Sequence, residues 1–101
     1  MTTIELVCLV CDNDRIPCEK GIAFAKENPN IESAINIILK SDLNDKLYLY
    51  LWWIVCQNKI IGWNKMNLIW MKYNGKINWK EKVNIECAEI LRQFILDNNL
   101  G

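Results

Sequence analysis

Leu47-Tyr48-Leu49-Tyr50-Leu51-Trp52-Trp53-Ile54-Val55-Cys56 is the longest uninterrupted apolar run in the chain, and the rest of the sequence must be arranged to cover it. The run has no polar face to offer water. Ten residues are too few for a membrane span, which needs ~20, so it reads as the central buried element of one small domain. Tyr, Trp, Ile and Val also favour strands, and length decides between the two readings. Leu43-Asn44-Asp45-Lys46 leads into the run without a break, and an unbroken segment from Leu43 to about Asn58 is long for a strand and ordinary for a helix. The expectation is a central helix over residues 43 to 57.

Upstream, Thr2 stands three residues before Glu5, the capping-box spacing, which predicts a short helix through about Val10, with a strand as the competing reading. Asp12-Asn13-Asp14-Arg15-Ile16-Pro17 reads as a polar turn whose proline enters the first turn of a second helix. That helix runs from Cys18 to Glu27 with Cys18, Ile22, Phe24 and Ala25 inward, and Pro29 stops it. Asn30 is the natural N-cap of a third helix with an inward face of Ile31, Ala34, Ile35, Ile38 and Leu39. Ser41-Asp42 is a turn and cap.

Downstream, Gly62 marks a bend, and Trp63, Met66, Trp70 and Tyr73 form one helical stripe. Asn74-Gly75 is a type I′ hairpin turn between strands or a left-handed cap after a helix. The following pattern favours the cap, because Asn78 with Glu81 reads as a capping pair and Val83, Cys87, Ile90, Leu91 and Phe94 trace a helical face. The fold expected is therefore all-α: a compact single-domain bundle, residues 1–101, of about five helices around a central hydrophobic helix. The alternative is α+β with a hairpin at Asn74-Gly75.

One hundred and one residues are enough for one core without covalent staples. Formal charge is zero, but residues 1–45 carry four basic and eight acidic groups while residues 46–101 carry eight and four, so the chain is strongly dipolar. Five cysteines are an odd number, and Met1-Thr2-Thr3-Ile4-Glu5 lacks the basic start of a secretory leader, so free thiols in a reducing host-cell cytoplasm are expected. The abundance of Asn, Ile and Lys points to an AT-rich genome, which suits a phage or mobile element.

Three segments carry a resemblance: Cys18-Glu19-Lys20-Gly21-Ile22-Ala23-Phe24, Leu51-Trp52-Trp53-Ile54 and Cys87-Ala88-Glu89-Ile90-Leu91. Together they resemble a family of small phage and bacterial proteins of unknown role, labelled immunity proteins, built on an ACxxGxxF-like segment, a Trp-rich helix and a CAExxL-like segment. Pro17 stands where that family has Ala, and the Asp-Trp that opens its central helix is absent here. The family's extension beyond the CAE helix is also missing. The resemblance implies a helical fold and a mobile-element context, and brings no established active site.

Among candidate chemistries, Cys8 and Cys11 have zinc-ligand spacing and could join Cys18 with Cys56 or Cys87. No glycine-bearing knuckle accompanies them and the chain has no histidine, so buried structural thiols are the preferred reading. A thioredoxin-like role is weaker still, since it needs the pair at a helix N-terminus. Catalysis has little to work with: no imidazole, no Gly-rich phosphate loop, and Asp12, Asp14, Glu19 and Glu27 as turn and surface acids.

Six lysines, Lys59, Lys65, Lys72, Lys76, Lys80 and Lys82, alternate with Trp63, Trp70, Tyr73 and Trp79 between residues 59 and 82. That mixture suits single-stranded nucleic acid, although zero net charge gives little general attraction to a polyanion. Five tryptophans exceed the needs of one small core, and Trp is enriched at interface hot spots. The reading adopted is a non-catalytic, protein-binding inhibitor of phage or mobile-element origin, directed at a host defence protein, as an anti-CRISPR is, or at a toxin. The alternative is a single-stranded nucleic-acid-binding protein using segment 59–82. Trp63, Lys65, Trp70, Lys72, Lys76 and Trp79 form the expected partner-binding set, and Cys18, Gly21, Phe24, Trp52, Trp53, Cys87 and Leu91 are core or structural. No cofactor and no membrane are expected, and a homodimer is a further possible assembly.

Overall fold

The computed structural model describes residues 1–11 and 17–101, so the polar turn expected at residues 12–16 lies outside the described residues. Six α-helices follow in order: α1 (Thr3–Val10), α2 (Glu19–Glu27), α3 (Ile31–Lys40), α4 (Tyr48–Val55), α5 (Gly62–Tyr73) and α6 (Trp79–Asp97), with a 3₁₀ turn at Leu43–Asp45 before α4. No strand occurs among the described residues, and the radius of gyration is 12.9 Å. The bundle is one all-helical unit.

Local chemistry explains most of the boundaries. The Thr2 hydroxyl accepts from Glu5 N–H while the Glu5 carboxylate accepts from Thr2 N–H, a complete capping box. Those hydrogen bonds, the backbone one first, hold the Glu5 carboxyl below its ordinary range. The Asn30 side chain accepts from Ser33 N–H at 2.9 Å and starts α3 as expected. Thr3 N–H donates to Pro29 O at 3.0 Å and its hydroxyl donates to Asn28 O, which fastens the start of α1 to the α2–α3 corner.

The central helix is shorter than expected. The Asp42 carboxylate accepts from Asn44 N–H at 2.9 Å and opens the 3₁₀ turn, after which Lys46 takes the left-handed conformation with φ 60. A helix cannot propagate through that conformation, and a lysine gives no warning of it. Two further expectations fail at other helix starts. Pro17 precedes the N-cap instead of entering the first turn of α2, because Cys18 itself is the cap. Asn78 is left-handed with φ 56 and makes no side-chain cap hydrogen bond, so the capping pair with Glu81 is not formed.

At Asn74-Gly75 the hairpin alternative is excluded, since α5 and α6 flank it. Asn74 has φ −56 and ψ 130, Gly75 has φ +77, and Lys76 N–H donates to Tyr73 O at 3.0 Å. That is a type II turn, in which glycine supplies the positive φ.

α4 is apolar all round, and α3 and α6 pack on it. Leu51, Ile54 and Val55 are buried, and they meet Leu6 and Val10 of α1, Ile35 and Ile38 of α3, Met66 of α5, and Val83, Cys87 and Leu91 of α6 in one continuous core. Only Leu49 of α4 is exposed. Deleting a side chain such as Leu51 from this core would cost ~2–5 kcal/mol.

Two buried polar residues shape the core. Trp52 Nε1–H donates to Asn84 Oδ1, joining α4 to the buried side of α6. Gln57, fully buried just after α4, donates from Nε2 to Trp53 O at 2.8 Å, its backbone carbonyl accepts from the Ile60 and Gly62 amides, and its side-chain Oε1 is buried without a partner. Gly62, with φ +77, then turns the chain into α5.

Candidate functional site

The lysine-rich segment 59–82 spans the corner after α4, all of α5, the type II turn and the start of α6. Its aromatic side chains turn toward one another. Ring centroids of Trp63 and Trp70 are 5.9 Å apart, Trp70 and Trp52 5.9 Å, Trp52 and Trp79 6.1 Å, and Tyr48 meets Trp52 edge-on at 4.8 Å. This chain of rings ties α4, α5 and α6 together, and such contacts are worth ~0.5–1.5 kcal/mol each beyond their burial. Trp70 and Trp79 are half-buried within it, so two of the expected partner-binding residues spend most of their surface inside the fold. Trp63, at its outer end, is 44% exposed.

The lysines are also divided. Lys59 Nζ donates to Leu9 O at 2.7 Å and caps the C-terminal end of α1. Lys80 lies over the rings of Tyr48 and Trp79, at 5.5 and 5.7 Å. Lys72 pairs with Glu86 at 3.4 Å and lies 5.2 Å from the Tyr73 ring centre, and Lys76 approaches the same ring at 5.9 Å. Hydrogen bonding to Tyr73 and Glu86 holds Lys72 above its ordinary range, and Glu86 does the same for the Tyr73 phenol. Lys65 is exposed on α5.

α5 presents a face that the sequence reading did not single out. Its inner side carries Met66 and Ile69, both buried. On the outer side Lys65, Leu68, Met71 and Lys72 fall at i, i+3, i+6 and i+7, one helical face. Leu68 is 65% exposed, Met71 72%, and Ile77 in the following turn 83%. The signal was present in the sequence: Leu68 and Met71 do not belong to the stripe that contains Met66.

A second feature is an open cleft of about 710 Å³ where α1, the N-terminus of α2, α4 and α5 converge. Leu49, Tyr50, Trp52, Trp53, Trp63 and Trp70 wall it, and its charged lining side chains among the described residues are Lys20, Asp45 and Lys46. Trp70 Nε1 is buried there without a hydrogen-bond partner. Neither Lys20 nor Lys46 was foreseen in this role. They lie far apart in sequence, and only the fold of α2 against α4 brings them to one cleft.

The residues expected to be structural divide as follows. Cys87 and Leu91 are buried in α6, and Phe24, Trp52 and Trp53 are half-buried against the core. Cys18 is a correction: it is exposed, and its sulfur accepts from Gly21 N–H at 3.4 Å as the N-cap of α2. Gly21 faces Tyr50, but an added Cβ would lie 3.6 Å from that ring and 3.5 Å from Cys18 Sγ, ordinary contact distances. Alanine would therefore fit there.

Cys87 Sγ lies 3.9 Å from Met66 Sδ, and burial pushes its thiol up to about 12. Cys56 is buried as well, whereas Cys8 is exposed. Among the described residues no three Cys, Asp or Glu side chains are grouped closely enough to hold a metal ion. No helix among them is long and apolar enough to cross a membrane.

No protein-family model matches the chain, and neither a curated protein nor a solved structure matches it.

Proposed function

We propose that the chain is a non-catalytic binding protein that docks on a partner protein through the outer face of α5 and blocks it. The observation that carries this reading is the exposure of Leu68, Met71 and Ile77 between Lys65, Lys72 and Lys76. Large apolar side chains set in a polar, basic rim are the composition of a protein interface, in which the apolar centre supplies affinity and the rim supplies orientation. Segment 59–82 holds six lysines against Glu81 alone, so the complementary partner surface is acidic with an apolar centre. The resemblance of the Cys18–Phe24, Leu51–Ile54 and Cys87–Leu91 segments to small phage proteins supports an inhibitor of a host defence protein or a toxin as the biological form of this activity.

The nucleic-acid reading draws on the same lysines but needs rings free to stack on bases. Trp70 and Trp79 pack tilted against Trp52, and Leu68 and Met71, the most exposed apolar side chains of α5, are aliphatic and thioether. Those favour a protein partner.

The test is affinity capture from a lysate of the bacterial host, comparing the wild type with Leu68→Asp/Met71→Asp. The expected result is one acidic protein retained in stoichiometric amount by the wild type and lost by the variant. No stoichiometric protein, or equal capture by both, overturns the reading. Retention on single-stranded DNA that weakens steeply with salt and depends on Lys65 and Lys76 would replace it with the nucleic-acid alternative.

A further inference from the structure

The cleft between α2 and α4 is a different surface from the outer face of α5, and the partner-binding reading does not use it. Its volume of about 710 Å³ lies within the ~300–1,000 Å³ typical of small-molecule sites. Flat, rigid indoles line it, with Trp53, Trp63 and Trp70 contributed from two helices and Leu49 exposed among them. An arrangement of ring faces is suited to another planar ring system, which gains offset stacking at little entropic cost.

The charged groups select among such molecules. Among the described residues, the charged side chains that line the cleft are Lys20 at the start of α2, Lys46 before α4 and Asp45, two cations and one carboxylate. The balance among them is positive, and both lysines are exposed at the rim, where they can meet an anion as it enters. A buried indole donor, Trp70 Nε1, is left without an acceptor in the same wall. We infer that this cleft is a binding site for a small planar aromatic molecule carrying one anionic group, its rings between the tryptophans and its anion toward Lys20 and Lys46.

Two naphthalene dyes separate the parts of this claim, because they share a ring system and differ in charge: 8-anilino-1-naphthalenesulfonate is an anion and N-phenyl-1-naphthylamine is neutral. Each is titrated into the full chain while energy transfer from tryptophan is followed, and near-ultraviolet circular dichroism checks that every variant keeps native packing. Lys46→Asn removes the charge and keeps a residue that accepts the left-handed backbone at φ 60. Trp63→Ala removes an exposed part of the wall.

The sulfonate is expected to saturate at one molecule per chain and to bind about threefold to fivefold more tightly than the neutral dye, the order of effect of one exposed charge pair. Lys46→Asn should abolish most of that difference and leave the neutral dye unchanged, and Trp63→Ala should weaken both. Binding that does not saturate at one per chain overturns the site. A neutral dye that binds as tightly as the sulfonate overturns the anionic class, and affinities that survive both substitutions overturn the assignment of these residues.

Discussion

α5 and α6 are neighbouring amphipathic helices that divide their apolar residues differently, although α6 also exposes Ile85 and Leu96. α6, nineteen residues long, turns Val83, Cys87, Ala88 and Leu91 inward together with Asn84, and makes its most extensive contact with α4. α5 has twelve residues, buries only Met66 and Ile69, and leaves Leu68 and Met71 exposed on its outer side. The core is closed without those two side chains. Exposed apolar side chains of this kind beside lysines are the surface that the proposed docking would use.

If α6 and α4 carry the stability, the largest loss should come from their seam. Trp52→Ala removes the ring that Tyr48, Trp70 and Trp79 all touch, and strips buried Asn84 of its donor. It should cost ~3–5 kcal/mol, a large fraction of the ~5–15 kcal/mol that holds a domain of this size. Chemical denaturation followed by circular dichroism measures it. A mutant that melts with the wild type would move the structural centre away from this seam.

A second effect belongs to α6 alone. Burial, with smaller contributions from Glu86 and Cys56, raises the Cys87 thiol from 9.0 to about 12. Between those values the unfolded chain releases this proton while the folded chain keeps it, so folding stability falls as pH rises through that window and is unaffected by this group below it. Cys87→Ala should flatten the decline of melting temperature between pH 9 and 11. An unchanged alkaline slope would mean that the thiol ionises in the folded protein much as it does in the unfolded one.

What was readable in the sequence follows the same division. The inner faces of α3 and α6, the Thr2 and Asn30 caps and the bend at Gly62 were all legible, because periodic burial and short-range hydrogen bonds act on neighbours in the chain. The break before α4 was not, because it rests on Lys46 adopting a backbone that lysine rarely takes. Asn78 and Cys18 misled for a related reason: one looks like a cap and is left-handed, the other looks apolar and caps α2. The site was harder still. Trp70 and Trp79 carry the composition of a binding surface, yet their rings close on Trp52, while Leu68 and Met71 carry the composition of a core and face water. Only tertiary packing distinguishes the two sets.

The smallest expected effect is therefore the most informative. Leu68→Ser/Met71→Ser changes two large apolar residues on α5, and urea denaturation of this variant beside the wild type separates folding from docking directly. The account predicts a loss within about 1 kcal/mol, since exposed substitutions usually stay within ~0.5 kcal/mol each. A loss of ~2–5 kcal/mol, the range for core truncations, would show that these side chains hold the fold together and would contradict the claim that α5 keeps its outer face for a partner.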